Sequence, residues 1–163
     1  MNVSVHVEII AVGKLKERYW TEALREYEKR LSAYVDLTMH EVPDEPAPET
    51  LSDAERLQVL QREADKIDKL LKPRDGIVLL DIQGKALSSE AWSESYEMLL
   101  GEGFGRLVFV IGGSNGVHPD LRKRAHLRWS FGPLTLPHQL ARVVLLEQLY
   151  RGIRIMRGEP YHK

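Results

Sequence analysis

The 163 residues include no cysteine, which excludes a disulfide framework, a thiolate nucleophile and cysteine-ligated zinc or iron–sulfur centres. Histidine offers no metal site in its place. His6, His40, His118, His126, His138 and His162 form no HExxH or other compact ligand cluster, so no metal is expected. No apolar run reaches bilayer-spanning length, and Met1 to Gly13 lacks the basic start, long apolar stretch and small-residue cleavage site of a secretory signal. A soluble, cytoplasmic protein without membrane association is the expectation. Net charge is also nearly absent, at −1. That balance conceals a division, because residues 1–105 carry 13 Lys+Arg against 21 Asp+Glu and residues 106–163 carry 10 against 3. The C-terminal third is basic enough to meet a polyanion, although chance sorting of surface charge would give the same division.

A chain of this length buries one core and is too short for two ordinary domains, so a single domain over residues 1–163 is expected. Alternation at Val3, Val5, Val7 and Ile9 predicts a strand from Val3 to Val12, closed by Gly13. Leu24, Tyr27, Leu31 and Tyr34 recur at helical spacing and predict a helix from about Lys16 to Ala33. Asp36 to Val42 reads as a second strand, and the three prolines between Pro43 and Pro48 as an exposed loop. Ser52 with Glu55 forms a capping box ahead of an apolar stripe at Leu57, Leu60, Ala64, Ile67 and Leu71, with Pro73 as the stop. Gly76–Ile82 and Leu107–Ile111 are near-continuous apolar strands of the parallel type, with a turn expected at Gly84. Between them a helix starts at Ser88 or Ser89. A short helix near Pro119 to Ala125, the stretch Trp129–Leu136 and a long helix from Pro137 to about Arg157, ended by Gly158, complete the chain. The alternation defines an α/β domain, a mostly parallel sheet with helices on both faces. Ligands of such sheets bind at the carboxyl ends of strands, here after Asp81 and at Gly112.

Gly112, Gly113 and Gly116 follow a strand directly, where glycines permit close backbone approach to a ligand, yet their spacing is neither GxGxxG nor a P-loop. From the residues alone a plain turn is the better reading. His138, in the first turn of the long helix, is either a packing residue or a base. Glu147, Arg151 and Arg154 share one helical stripe, as an ion pair or as a reactive set. The apolar residues around them, Val143 to Leu146, Leu149, Ile153 and Ile155, make this helix either central to the fold or half of a subunit interface.

Five segments, Leu79-Leu-Asp-Ile-Gln-Gly-Lys85, Phe109-Val-Ile-Gly-Gly-Ser-Asn-Gly116, Leu134-Thr-Leu-Pro-His-Gln-Leu-Ala-Arg142, Leu146-Glu-Gln-Leu-Tyr-Arg151 and Pro160-Tyr-His-Lys163, resemble the RlmH family of small bacterial SPOUT methyltransferases. The resemblance spans essentially the whole chain. It implies a deep C-terminal trefoil knot, which ordinary connection rules would not produce, and a homodimer. It also implies S-adenosyl-L-methionine-dependent methylation of N3 of a pseudouridine in helix 69 of 23S ribosomal RNA, on assembled ribosomes. By the same resemblance the cofactor is bound by Leu80, Gly112 and the stretch Phe131, Gly132, Pro133, Leu134, Thr135 and Leu136. Phe131, Gly132 and Pro133 depart from the family pattern, and Pro133 lacks an amide donor. For chemistry the resemblance favours Tyr161 to hold the base and His162 to take the N3 proton, with Glu147 as the other acceptor. Arg142, Arg151 or Arg154 would stabilise the charge that spreads over the ring carbonyls, and Lys163 would contact phosphate. Two rivals remain at this level, a SPOUT methyltransferase acting on transfer RNA and a non-catalytic ribosome-binding protein.

Overall fold

The computed structural model describes residues 5–161. Along them run β1 (Val5–Val12), α1 (Arg18–Leu31), β2 (Val35–Val42), α2 (Asp53–Asp68), β3 (Asp75–Ala86), α3 (Ser89–Leu100), β4 (Arg106–Ile111), α4 (Pro119–Arg124), β5 (Leu127–Ser130) and α5 (His138–Met156). The strands form one sheet in the order β2-β1-β4-β3-β5, and every neighbouring pair is parallel. Strand side chains alternate between two cores, which is why the central strands are apolar at nearly every position. Val7, Ile9, Val78 and Phe109 pack with Leu24 of α1, Trp92 of α3 and Leu145 of α5. Ile10, Ile77, Leu79 and Val110 pack with Ala64 and Ile67 of α2 and Leu121 of α4.

Local signals act where the sequence places them. Ser52 Oγ accepts the Glu55 amide while the Glu55 carboxylate accepts that of Ser52, and the Ser88 hydroxyl caps α3. Gly158, at φ +66°, ends α5 in the left-handed conformation. Four expectations need correction. Gly84 does not turn the chain; β3 runs on to Ala86, with a register shift against β5 between Leu80 and Lys85. A Cβ on Gly84 would sit 2.6 Å from the Arg128 carbonyl, so the glycine lets β3 and β5 touch. Strand β5 lies where the sequence shows no strand signal. Its four residues are too few for alternation to register, and its Trp129 stacks on Trp92 of α3, centroids 4.1 Å apart and planes 16° from parallel. On α2, Leu60, Ala64 and Ile67 of the expected stripe are buried, but Leu57 is 48% exposed and Val59 and Glu63 complete the buried face in its place. That helix ends at Asp68, ahead of Pro73.

Helix α5 is central to the fold. Leu145, Leu146, Leu149 and Ile153 are fully buried against the rest of the same chain. Its closest approach is to α3, where Trp92 Nε1 donates to the Gln148 carbonyl at 3.0 Å and Ser93 Oγ to that of Gly152 at 2.7 Å. A Cβ on Gly152 would meet Trp92 Cδ1 and Nε1 at 2.7 Å. Gly152→Ala is therefore expected to destabilise by about 1–3 kcal/mol through overpacking, lowering the melting temperature by several degrees in a calorimetric scan. An unchanged melting temperature would show that the two helices separate freely.

Candidate active site

The cofactor residues implied by the resemblance converge at one edge of the sheet. Leu80 pairs with Ile111 on one side and Trp129 on the other, so this residue of β3 stands level with the ends of β4 and β5, although β3 itself continues to Ala86. Gly112 follows Ile111, and Phe131 to Leu136 follow Ser130. Asp81, one residue past Leu80, fastens this edge. Its buried carboxylate accepts the Gln83 amide at 3.0 Å and pairs with Arg122 of α4 at 3.1 Å and Arg128 of β5 at 3.4 Å. Gly112 to Gly116 form a tight turn in which the Gly116 amide donates to the Gly113 carbonyl at 3.1 Å and Gly116 takes φ +96°. The turn and the ligand readings of these glycines are thus compatible, since the turn stands at the edge.

The third loop starts with a local device. Ser130 Oγ accepts the Gly132 amide at 3.1 Å, and Gly132 adopts φ +104° with open space around it. Among the described residues the amides of Leu134, Thr135 and Leu136 have no intramolecular partner, and Leu134 is 75% exposed. Free main-chain donors and acceptors beside a half-buried Phe131 suit an adenine ring, which is flat, apolar on its faces and polar on its edge. The residues present therefore fit S-adenosylmethionine, with Pro133 contributing only its carbonyl.

The candidate reactive residues separate into two groups. Tyr161, Glu147 and Arg151 are together. The Tyr161 hydroxyl donates to Glu147, the Arg151 guanidinium lies 3.8 Å from the Tyr161 ring centroid, and Arg151 donates twice to Glu147, at 3.1 and 3.2 Å. Burial, reinforced by the hydrogen bond to the Glu147 carboxylate, pushes the Tyr161 hydroxyl up to about 12. It therefore keeps its proton at neutral pH and serves as a donor, not a base. Glu159 anchors the segment, accepting from Tyr34 at 2.6 Å and from Arg154 and Arg157 at 2.7 Å each. Arg154 also donates to the Pro160 carbonyl, so it holds the chain in place. His162 and Lys163 lie outside the described residues.

Arg142 departs from the expectation. It is 1% exposed, donating to Glu41 Oε2 and to the Gly13 carbonyl at 2.7 Å each. With its guanidinium committed to the Gly13 carbonyl and to the half-exposed Glu41, Arg142 positions the β1–α1 connection instead of facing a reacting base. Burial opposes ionisation of Glu41, but hydrogen bonds from Arg142 and the Leu15 amide hold its carboxyl below the ordinary range. His138 packs at the same place, its Nδ1 buried without a partner. Burial, then the neighbouring Arg142 charge, pull its imidazole below the usual histidine value of 6.5. The unfolded chain then binds a proton more readily than the folded one. Folding stability is expected to be at its full value above about pH 6.5 and to fall toward pH 5, with a shallower slope in His138→Asn. Equal denaturant midpoints at pH 7 and 5 would contradict this.

Sequence reasoning marked Asp81 only as the end of a strand, and overlooked the Ser130–Gly132 turn and the role of Glu159. An aspartate directly after a buried strand and a Ser-x-Gly before a helix were the available signals. Among the described residues no group of three or more His, Asp and Glu side chains is arranged to hold a metal ion, and no helix is long and apolar enough to cross a membrane.

This arrangement is a parallel α/β sheet with loops at its carboxyl edge and a C-terminal helix packed across it. A family model described as "Predicted SPOUT methyltransferase" matches residues 5–162. The chain belongs to the SPOUT methyltransferase family, whose members generally use S-adenosylmethionine. It is similar in fold to a probable methylase family protein from Haemophilus influenzae Rd KW20, with a TM-score of 0.54 at 10% identity, over 96% of this chain and 70% of that one. A probable methyltransferase from Bordetella pertussis Tohama I gives a TM-score of 0.56 at 14% identity, over 91% of this chain and 96% of that one.

Proposed function

We propose that this SPOUT methyltransferase transfers the methyl group of S-adenosylmethionine to N3 of a pseudouridine in helix 69 of 23S ribosomal RNA, on assembled ribosomes in the cytoplasm. The convergence of Leu80, Gly112 and residues 131–136 at one sheet edge carries the cofactor part of this reading. The RNA target rests on the resemblance of the Pro160-Tyr-His-Lys163 terminus to the RlmH family, together with the basic C-terminal third. The knot and a one-domain organisation belong to the same reading, supported by family membership.

The distance between the two groups of residues bears on oligomeric state. Glu147 and Arg151 stand nine and thirteen residues beyond the start of α5, about 14 and 20 Å along the helix. In-line transfer needs reacting atoms about 3 Å apart. The Tyr161–Glu147–Arg151 group of one subunit therefore serves the cofactor loops of a second copy, and the enzyme is a homodimer.

Bound at these loops, S-adenosylmethionine supplies an electrophilic methyl group on its sulfonium. Tyr161 holds the uracil ring, with its hydroxyl fixed by Glu147. His162 accepts the N3 proton, since Glu147 already receives hydrogen bonds from Tyr161 and Arg151. Arg151 stabilises the negative charge spread over the ring carbonyls as N3 takes the methyl group. The test is incubation with methyl-labelled cofactor and unmodified ribosomes in the presence of chelator, followed by mapping of the label. Label at the helix 69 pseudouridine is expected. Label in transfer RNA would move the substrate, and cofactor binding without transfer would leave a non-catalytic ribosome-binding protein.

A further inference from the structure

A cavity of about 490 Å³ opens at the carboxyl ends of β1 and β2, lined by Lys14, Lys16, Glu17, Asp44, His138 and Gln139 among others. None of these residues belongs to the cofactor loops or to the Tyr161 group. The cavity nevertheless adjoins the cofactor edge through Asp44. A Cβ built on Gly113 would lie 3.0 Å from Asp44 Oδ1, and one built on Gly13 would lie 3.3 Å from Asp44 Oδ2. Glu41 is paired with Arg142 and Glu45 with Lys66, and among the described residues neither Lys14 nor Lys16 forms an ion pair, although Glu17 and Asp44 share the lining. His138 and Gln139 open α5, whose first turn carries neither an acidic residue nor a side-chain cap. The amide ends of that 19-residue helix add partial positive charge.

We propose that this cleft binds one nucleotide of the substrate RNA strand, adjacent to the base that is methylated. Lys14, Lys16 and the first-turn amides of α5 take its phosphate, while Asp44 and Gln139 meet the ribose 2′-hydroxyl and the base edge. The mixed lining favours a nucleotide over a bare anion. Glu17 and Asp44 would repel a free phosphate, but a carboxylate accepts a hydrogen bond from a ribose hydroxyl. The volume lies within the range of about 300–1,000 Å³ usual for small-ligand sites. The inference rests on the RNA-methyltransferase reading above.

The test uses full-length protein carrying both Lys14→Gln and Lys16→Gln, two exposed positions whose substitution leaves the core untouched. Binding to unmodified ribosomes and, in parallel, to total transfer RNA is measured by filter retention between 50 and 200 mM salt (roughly the span over which phosphate contacts register). Ribosome affinity is expected to fall at least tenfold, with the salt slope reduced by about 2 for two lost phosphate contacts. The calorimetric affinity for S-adenosylmethionine and the methylation rate at saturating ribosomes should stay within twofold of wild type. Unchanged ribosome affinity and slope would overturn the proposal. Weakened cofactor binding would do so as well, by assigning the lysines to the cofactor carboxylate. Wild-type protein that methylates only transfer RNA would sink the ribosomal reading alone, and the same comparison made on transfer RNA then decides the cleft.

Discussion

Deleting Tyr161 to Lys163 is expected to slow single-turnover methylation of ribosomes by about a hundredfold or more, the scale of losing positioning together with acid–base assistance. Dimerisation and cofactor affinity should be nearly unaffected. The structure supports a selective effect because the cut falls beyond the anchor: Glu159 keeps its bonds to Tyr34, Arg154 and Arg157, and Arg154 keeps the Pro160 carbonyl. What goes is the ring stacked on Arg151 and its hydroxyl on Glu147, together with His162 and Lys163. Rates are to be measured at saturating cofactor and ribosomes, so that weaker binding cannot masquerade as slower chemistry. Equal rates for truncated and full-length protein would reduce the tail to a tethered end and leave Glu147 and Arg151 as the reactive pair.

Gly112→Val should abolish saturable binding of S-adenosylmethionine in a calorimetric titration while the protein still folds. Sequence alone gives one reason, a branched side chain where backbone approaches ligand. Geometry adds a stronger one. The new Cβ would lie 2.7 Å from the Gly116 carbonyl and 3.2 Å from Val117 Cγ2, so the turn itself must open and carry Gly112 away from the height it shares with Leu80. Unchanged affinity would remove Gly112 from the pocket. The two variants also test the shared site. In a dimer whose tail serves the partner's loops, mixing Gly112→Val subunits with tail-deleted subunits restores one working site in each mixed dimer. Random reassortment of equal amounts should then recover about a quarter of wild-type activity. Two inactive proteins that stay inactive after exchange would confine the site to one chain.

Much of the architecture is legible because it depends on neighbours in sequence. The two-faced burial of a parallel strand appears directly as the unbroken runs Gly76–Ile82 and Leu107–Ile111, and the Ser52 capping box spans four residues. The loop at Gly112 is legible for the same reason, since it directly follows Leu107–Ile111. Strand β5 is not, because four edge residues carry no period and its stability comes from Trp92, in another element.

The charged residues divide along the same line. Sequence by itself determined that an α/β sheet would present a loop after Ile111, that α5 would be too apolar for an ordinary surface helix, and that cations would crowd the C-terminal third; the strand end it placed at Asp81 is overturned, since β3 continues to Ala86. It left Arg142, Arg151 and Arg154 equivalent. Tertiary structure decided that Arg142 is spent on Glu41 and Gly13, 101 and 129 residues away; that Asp81 fixes Arg122 and Arg128; and that Arg151 stays beside Tyr161. The physical reason is that a charge is committed or free according to what the chain path brings within about 3 Å, and partners that far apart in sequence leave no local pattern to read.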